Sequence, residues 1–175
     1  MNHRQLIDAA ERQMSLCPGY STATPPWQAF AGGGKWMQHQ MNLLKPSDSV
    51  EIKPKVFTLY GLFKYGTCLL AFAGSAFLCL KIHVLLLPLA VIFFYYAEVH
   101  FLFLFPLLID GVKKPLLESI KFTYRTGIFR TMITTTVIAS FMIAGLFNTR
   151  SPLRNWYTGC LAIIIWYNYE TRNRV

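Results

Sequence analysis

Lys64, Glu98 and His100 are ionisable side chains set inside long apolar runs. A charge taken into hydrocarbon is costly, so each needs a partner or a wet cavity. A helical hairpin turning near residue 82 supplies a geometry. Antiparallel packing sets position 64 level with position 100, and Glu98 lies about 3 Å deeper at helical rise, so Lys64 reaches Glu98. Glu98 and His100 are about 200° apart around the helix and cannot hold one ion from the same face. Two kinds of chemistry are open to this cluster. One is a buried bridge that fixes the hairpin register, with His100 hydrogen-bonded to a neighbour. The other is a proton- or ion-handling site, since membrane carboxylates and histidines serve as relays. The matched pair already explains the residues, and the later apolar runs add no acidic residue or histidine to a path. That favours the structural bridge.

Other candidate chemistry is weaker. Gly32-Gly33-Gly34-Lys35 resembles a phosphate loop only in part, because Ala29 stands where the first glycine is needed and Trp36 where a Ser or Thr is needed. It reads as a hinge between two apolar patches. Asp110-Gly111 ends an apolar run, and Asp110 reads as a boundary or capping residue without a second carboxylate at its level. The four cysteines, at 17, 68, 79 and 160, form no CxxC pair. Cys68, Cys79 and Cys160 read as small buried apolar residues. Serine-elbow and zinc-helix motifs are absent. No residue is assigned to catalysis, to a cofactor or to a metal.

The elements that must position these groups follow from composition. The chain is 54% hydrophobic and 14% charged, against about 25% charged in a typical soluble domain. Residues 1–56 are ordinary polar chain, while most of the rest is apolar runs separated by short basic loops. The net charge of +9 sits at the ends of those runs, where topology needs it. Lipid headgroups are therefore the nearer anionic partner, and no nucleic acid is expected. The start of the sequence has no apolar signal region, and Asp8 and Glu11 argue against a mitochondrial transit peptide.

The pattern predicts an all-α integral membrane protein with about four transmembrane helices, beginning with a tight hairpin. The first run is Phe57 to Leu80 and the second Val84 to Ile109, each long enough to cross ~30 Å of hydrocarbon. Pro88 and Pro106 fall near the ends of the second, where proline does least harm. The third is Thr126 to Phe147 and the fourth Leu153 to Tyr169, with Trp156, Tyr157, Trp166, Tyr167 and Tyr169 placed as interfacial belts. The division is a cytoplasmic tail over 1–56, a hairpin over 57–110, a loop over 111–125, a second pair over 126–169, and a cytoplasmic end over 170–175. Within the loop, Leu116, Leu117, Ile120 and Tyr124 share one face and Glu118, Lys121 and Arg125 the other. That is either an interfacial helix or an extension of the third helix. Lys and Arg number 13 on the side of the termini against 3 on the other (Lys81, Arg150 and Arg154), with Lys64 left out as intramembrane. Both termini are therefore placed in the cytoplasm, in a bacterial inner membrane.

In the tail, Trp27, Phe30, Trp36, Met37, Met41, Leu43 and Leu44 are bulky groups that a short segment can hardly bury by itself. They are expected to meet a membrane surface or another protein. Two small-residue stripes recur at four-residue spacing, Thr67, Ala71, Ser75 and Cys79, and then Thr136, Ser140 and Ala144. Small faces let helices approach closely in lipid, within one chain or between subunits. Together these features favour a non-enzymatic subunit of a membrane assembly of the secretion or conjugation kind, with the bilayer and other membrane subunits as partners. One alternative is a small transporter, channel or membrane enzyme using Glu98, His100 and Lys64. Another is a homo-oligomeric effector that perturbs the membrane.

Overall fold

The computed structural model describes residues 1–16, 29–45, 53–147 and 153–172, apart from the side chains of 29–31 and 54. Every described element is helical. In chain order they are α1 (His3–Leu16), α2 (Ala29–Leu44), α3 (Pro54–Ile82), a 3-10 turn (Val84–Leu86), α4 (Leu89–His100), α5 (Leu104–Ile109), α6 (Pro115–Thr126), α7 (Ile128–Leu146) and α8 (Arg154–Arg172). Among the described residues, three segments are long and apolar enough to cross a membrane: Lys55–Ile82, Val84–Ile109 and Ile128–Leu146.

The tail is part of the bundle. α1 buries Leu6, Ala10 and Met14 at four-residue spacing and leaves Arg4, Asp8, Glu11 and Arg12 outside. Its first turn is held by a reciprocal pair: Asn2 Oδ1 accepts from the Gln5 amide, and the Asn2 amide donates to Gln5 Oε1, both at 2.9 Å. α1 packs mainly on α8, and α2 packs on α3 and α8. The hinge expected at Gly32-Gly33-Gly34 does not form, because the helix runs straight through it. Gly34 has a packing reason, since a Cβ there would stand 2.7 Å from Phe57 Cγ. Trp36 and Met41 are buried, and Met37 and Leu44 pack partly buried against the same core. Trp36 and Met41 are thus covered by this chain, while Leu43 stays exposed. Trp27 lies outside the described residues, as does the side chain of Phe30.

α3 and the segment after it run antiparallel. Phe57 stacks on Phe105 with centroids 5.1 Å apart, Phe63 meets Phe101 at 5.8 Å, and Lys64 faces Glu98. The turn is short: the His83 amide donates to the Cys79 carbonyl, and His83 Nδ1 accepts from the Leu85 amide. From Leu69 to Phe93, only Cys79 and Ala90 are buried. This stretch is an apolar arm outside the main core, which is built from α1, α2, the start of α3, α5, α6, α7 and α8.

The second apolar run is not one helix. It breaks at Phe101-Leu102-Phe103, a full turn before Pro106. Proline lacks the N–H that would bond the Leu102 carbonyl, and its ring crowds that carbonyl. Pro106 therefore does its damage upstream, and the chain restarts as α5. A second break separates α6 from α7 at Gly127, whose φ of +96° is open to glycine and strained for other residues. α6 is thus a helix of its own and not an extension of α7. Its inward face is Ser119, Phe122, Thr123 and Thr126, while Leu117 and Tyr124 of the face read from spacing as apolar stay exposed.

α8 is the central helix of the body. Trp166 and Tyr167 are fully buried in the core, not placed in an interfacial belt, while Trp156 and Tyr169 are exposed. It returns antiparallel to α7, with Arg130 joined to Glu170 at one end and Gly145 against Asn155 at the other. The small stripe on α3 is turned partly inward, with Cys79 buried and Thr67, Ala71 and Ser75 half-buried. The stripe Thr136, Ser140 and Ala144 on α7 faces outward.

Candidate functional site

The charged pair sits where the arm leaves the body. Lys64 Nζ lies 3.7 Å from Glu98 Oε1, with side-chain exposures of 6% and 18%. At that distance the pair attracts as ions without a tight hydrogen bond. The ammonium also lies over the rings of Tyr65 and Phe105, at 5.3 and 5.7 Å from their centroids. The ring faces add attraction for a desolvated cation. Cys68, one turn along α3, and Cys160 of α8 lie within reach of its field. Among the described residues, no group of three His, Cys, Asp or Glu side chains is placed to hold a metal ion.

His100 does not join this pair. Its Nδ1 meets the Tyr96 carbonyl at 2.6 Å and its Nε2 meets the Tyr124 hydroxyl at 3.3 Å. A carbonyl only accepts, so Nδ1 carries the hydrogen; in a neutral ring Nε2 then accepts from Tyr124. The rings of Tyr96 and Tyr124 stand edge-on to His100, at 4.8 and 5.5 Å. The opposed placement of positions 98 and 100 around one helix accounts for the separation.

The break in the second run is stitched to α6. At Phe101, Leu102 and Leu104 the amides turn to carbonyls three residues back, which loosens the helical pattern. Thr123 Oγ1 donates to the Val99 carbonyl at 2.7 Å, and Ser119 Oγ donates to the His100 carbonyl at 2.8 Å. Four-residue spacing on α6 puts both hydroxyls on one face, matched to two successive carbonyls. α6 also carries an exposed pair, Lys121 Nζ to Glu118 Oε1 at 2.7 Å. That hydrogen bond, with the charges of Lys121 and Arg125, holds the Glu118 carboxyl below its ordinary range.

A second polar network ties the ends of the helices together. Tyr167 donates its hydroxyl to Asp110 Oδ2 at 2.6 Å, and Lys45 Nζ lies 3.4 Å from the same oxygen. Arg172 donates to the Leu44 carbonyl at 3.0 Å. Arg130 bridges Glu170 at 3.3 Å and the Met1 carbonyl at 3.1 Å, while Trp166 Nε1 donates to Glu170. Asp110 is therefore more than a boundary residue: it is the point where α2, α5 and α8 meet. Spacing did not reveal Arg130 or Glu170, whose partners lie on elements distant in the chain. The available signal was a single carboxylate in an otherwise acid-free final helix. Comparison with protein families, with curated proteins and with solved structures gives no match.

Proposed function

We propose that this chain is a non-enzymatic, multi-pass membrane subunit of a larger protein assembly, of the secretion or conjugation kind, in a bacterial inner membrane. The segments apolar enough to cross a membrane support the membrane part. The excess of Lys and Arg beside the termini supports their cytoplasmic placement. The observation that carries the subunit part is the outer face of α7. Thr136, Ser140 and Ala144 face outward, and the two hydroxyls are turned back onto their own helix, Thr136 to the Met132 carbonyl and Ser140 to the Thr136 carbonyl. What remains outside is a stripe of small groups flanked by the exposed side chains of Ile133 and Ile143, against which another helix can pack closely. In this reading the Lys64–Glu98 pair is a bolt that sets the register of α3 on α4. The test is a pull-down in mild detergent through a C-terminal tag, read by native mass. Recovery in a hetero-complex is expected. A stable monomer with no co-purifying chain overturns the proposal, and a homo-oligomer moves the choice to a membrane-perturbing effector.

A second reading, a small transporter, channel or membrane enzyme, draws on the α4–α5 break beside Glu98. Discontinuous helices commonly border ion and substrate sites in transporters. It predicts that Glu98→Gln abolishes activity while fold and assembly survive. The subunit reading predicts a loss of stability instead.

A further inference from the structure

We infer that a single element enters the hydrocarbon, the α3–α4 arm from Leu69 to Phe93, and that the body carrying α1, α2 and α8 stays on the side from which the arm enters. This rests on the membrane reading above and narrows it from about four crossings to one inserted hairpin.

The arm is apolar all round. Leu70, Phe77, Leu78, Val84, Leu85 and Ile92 are each more than half exposed and point to different sides. Lys81 is the one charged residue (His83 taken as neutral) between Leu69 and Phe93. A helix that is hydrophobic on every side belongs inside a large core or inside a membrane. No residue of the chain's own core lies on this stretch. From Leu69 to Ile82 the arm measures about 21 Å at helical rise, against ~30 Å of hydrocarbon. The tip therefore approaches the far headgroups without reaching them, and the flexible stem of Lys81 covers much of the remaining distance.

α8 is excluded from the same environment by its neighbours. It is enclosed by α7, α1 and α2. The outer face of α1 carries Arg4, Asp8, Glu11 and Arg12, all exposed, and α2 exposes Lys35. Placing α8 in hydrocarbon would carry those charges in with it, on a surface facing lipid. α7 is paired with α8 from Arg130–Glu170 to Gly145–Asn155 and goes with it. Its apolar outer side then lies along the membrane boundary. Lys64 and Glu98 fall at the mouth of the body, where the arm begins.

The test uses the full chain in sealed vesicles of phosphatidylcholine and phosphatidylglycerol, with and without bromine on the acyl chains. The native tryptophans, at 27, 36, 156 and 166, all lie off the arm. Leu70→Trp and Leu85→Trp are expected to add emission that is lost in the brominated vesicles. The emission added by Glu11→Trp is expected to be kept. Equal loss at position 11 overturns the inference and returns α1 and α8 to the hydrocarbon. Arm tryptophans left unquenched in a chain that still floats with the vesicles also overturn it, because protein and not lipid then covers the arm. Failure to float at all is a separate result, which removes the membrane reading itself.

Discussion

The hydroxyl of Thr123 donates to the carbonyl of Val99 across 2.7 Å, from the inner face of α6 to the last turn of α4. Together with Ser119 on His100, it supplies what the broken helix cannot supply for itself. Thr123→Val keeps the shape and removes the donor, leaving the Val99 carbonyl with only the long bond from the Leu102 amide at 3.3 Å and weaker backbone contacts. The expected cost is about 1–3 kcal/mol, read by denaturant unfolding in mild detergent. Wild-type stability for Thr123→Val together with Ser119→Ala would mean that α6 does not hold the break.

Breaking the Lys64–Glu98 pair from one side leaves a charge in a site where the lysine is 4% exposed. Glu98→Gln is expected to cost about 3–5 kcal/mol. The double change Lys64→Leu with Glu98→Leu removes both charges and is expected to recover most of that loss. A thermodynamic cycle over the four proteins checks it, and additivity of the two single changes would argue that the pair does not interact.

Tyr167 and Lys45 share one oxygen of Asp110 but differ in weight. Tyr167→Phe deletes a short hydrogen bond to a charged acceptor and should cost about 1.5–3 kcal/mol. Lys45→Met should cost less than about 1 kcal/mol, since its side chain is 42% exposed and solvent screens it. Melting curves of the two variants should separate in that order.

Two glycines should respond in opposite senses. Gly127→Ala forces a side chain onto a φ of +96°, which is expected to cost more than about 1 kcal/mol. Gly33 is in a helix with nothing within 4 Å of a Cβ, so Gly33→Ala should stabilise by up to about 1 kcal/mol. Paired unfolding curves decide both.

The Glu118 carboxyl should titrate below the ordinary carboxylate range, because Lys121 donates to it. With a lowered folded value, its contribution is present above the ordinary range and lost as pH falls through the lowered one. Carbon-detected NMR titration reads this directly, and Lys121→Met should return the carboxyl to its usual range.

Sequence made the all-helical character and the apolar segments legible, because run length and scarcity of charge are local properties. The approach of Lys64 to Glu98 followed from turn position and helical rise, which depend on a few consecutive residues. The fate of Trp36 and Met41 did not follow. Their partners, such as Tyr157 against the Trp36 ring, lie on α8, more than a hundred positions away. The break at Phe101 was signalled by Pro106, but its position depended on whether neighbouring groups could take up the freed carbonyls. That depended on two hydroxyls on α6. The aromatic residues of α8 looked like belts because spacing shows amphipathic placement and not what encloses it.

The dependence of α1 on α8 also has a consequence for the order of synthesis. α1 leaves the ribosome early and cannot bury Leu6, Ala10 and Met14 until α8 has been made. The apolar hairpin emerges in between. It therefore emerges before the core that would compete for it can close, and under the inference drawn above it meets the lipid before the fold is complete.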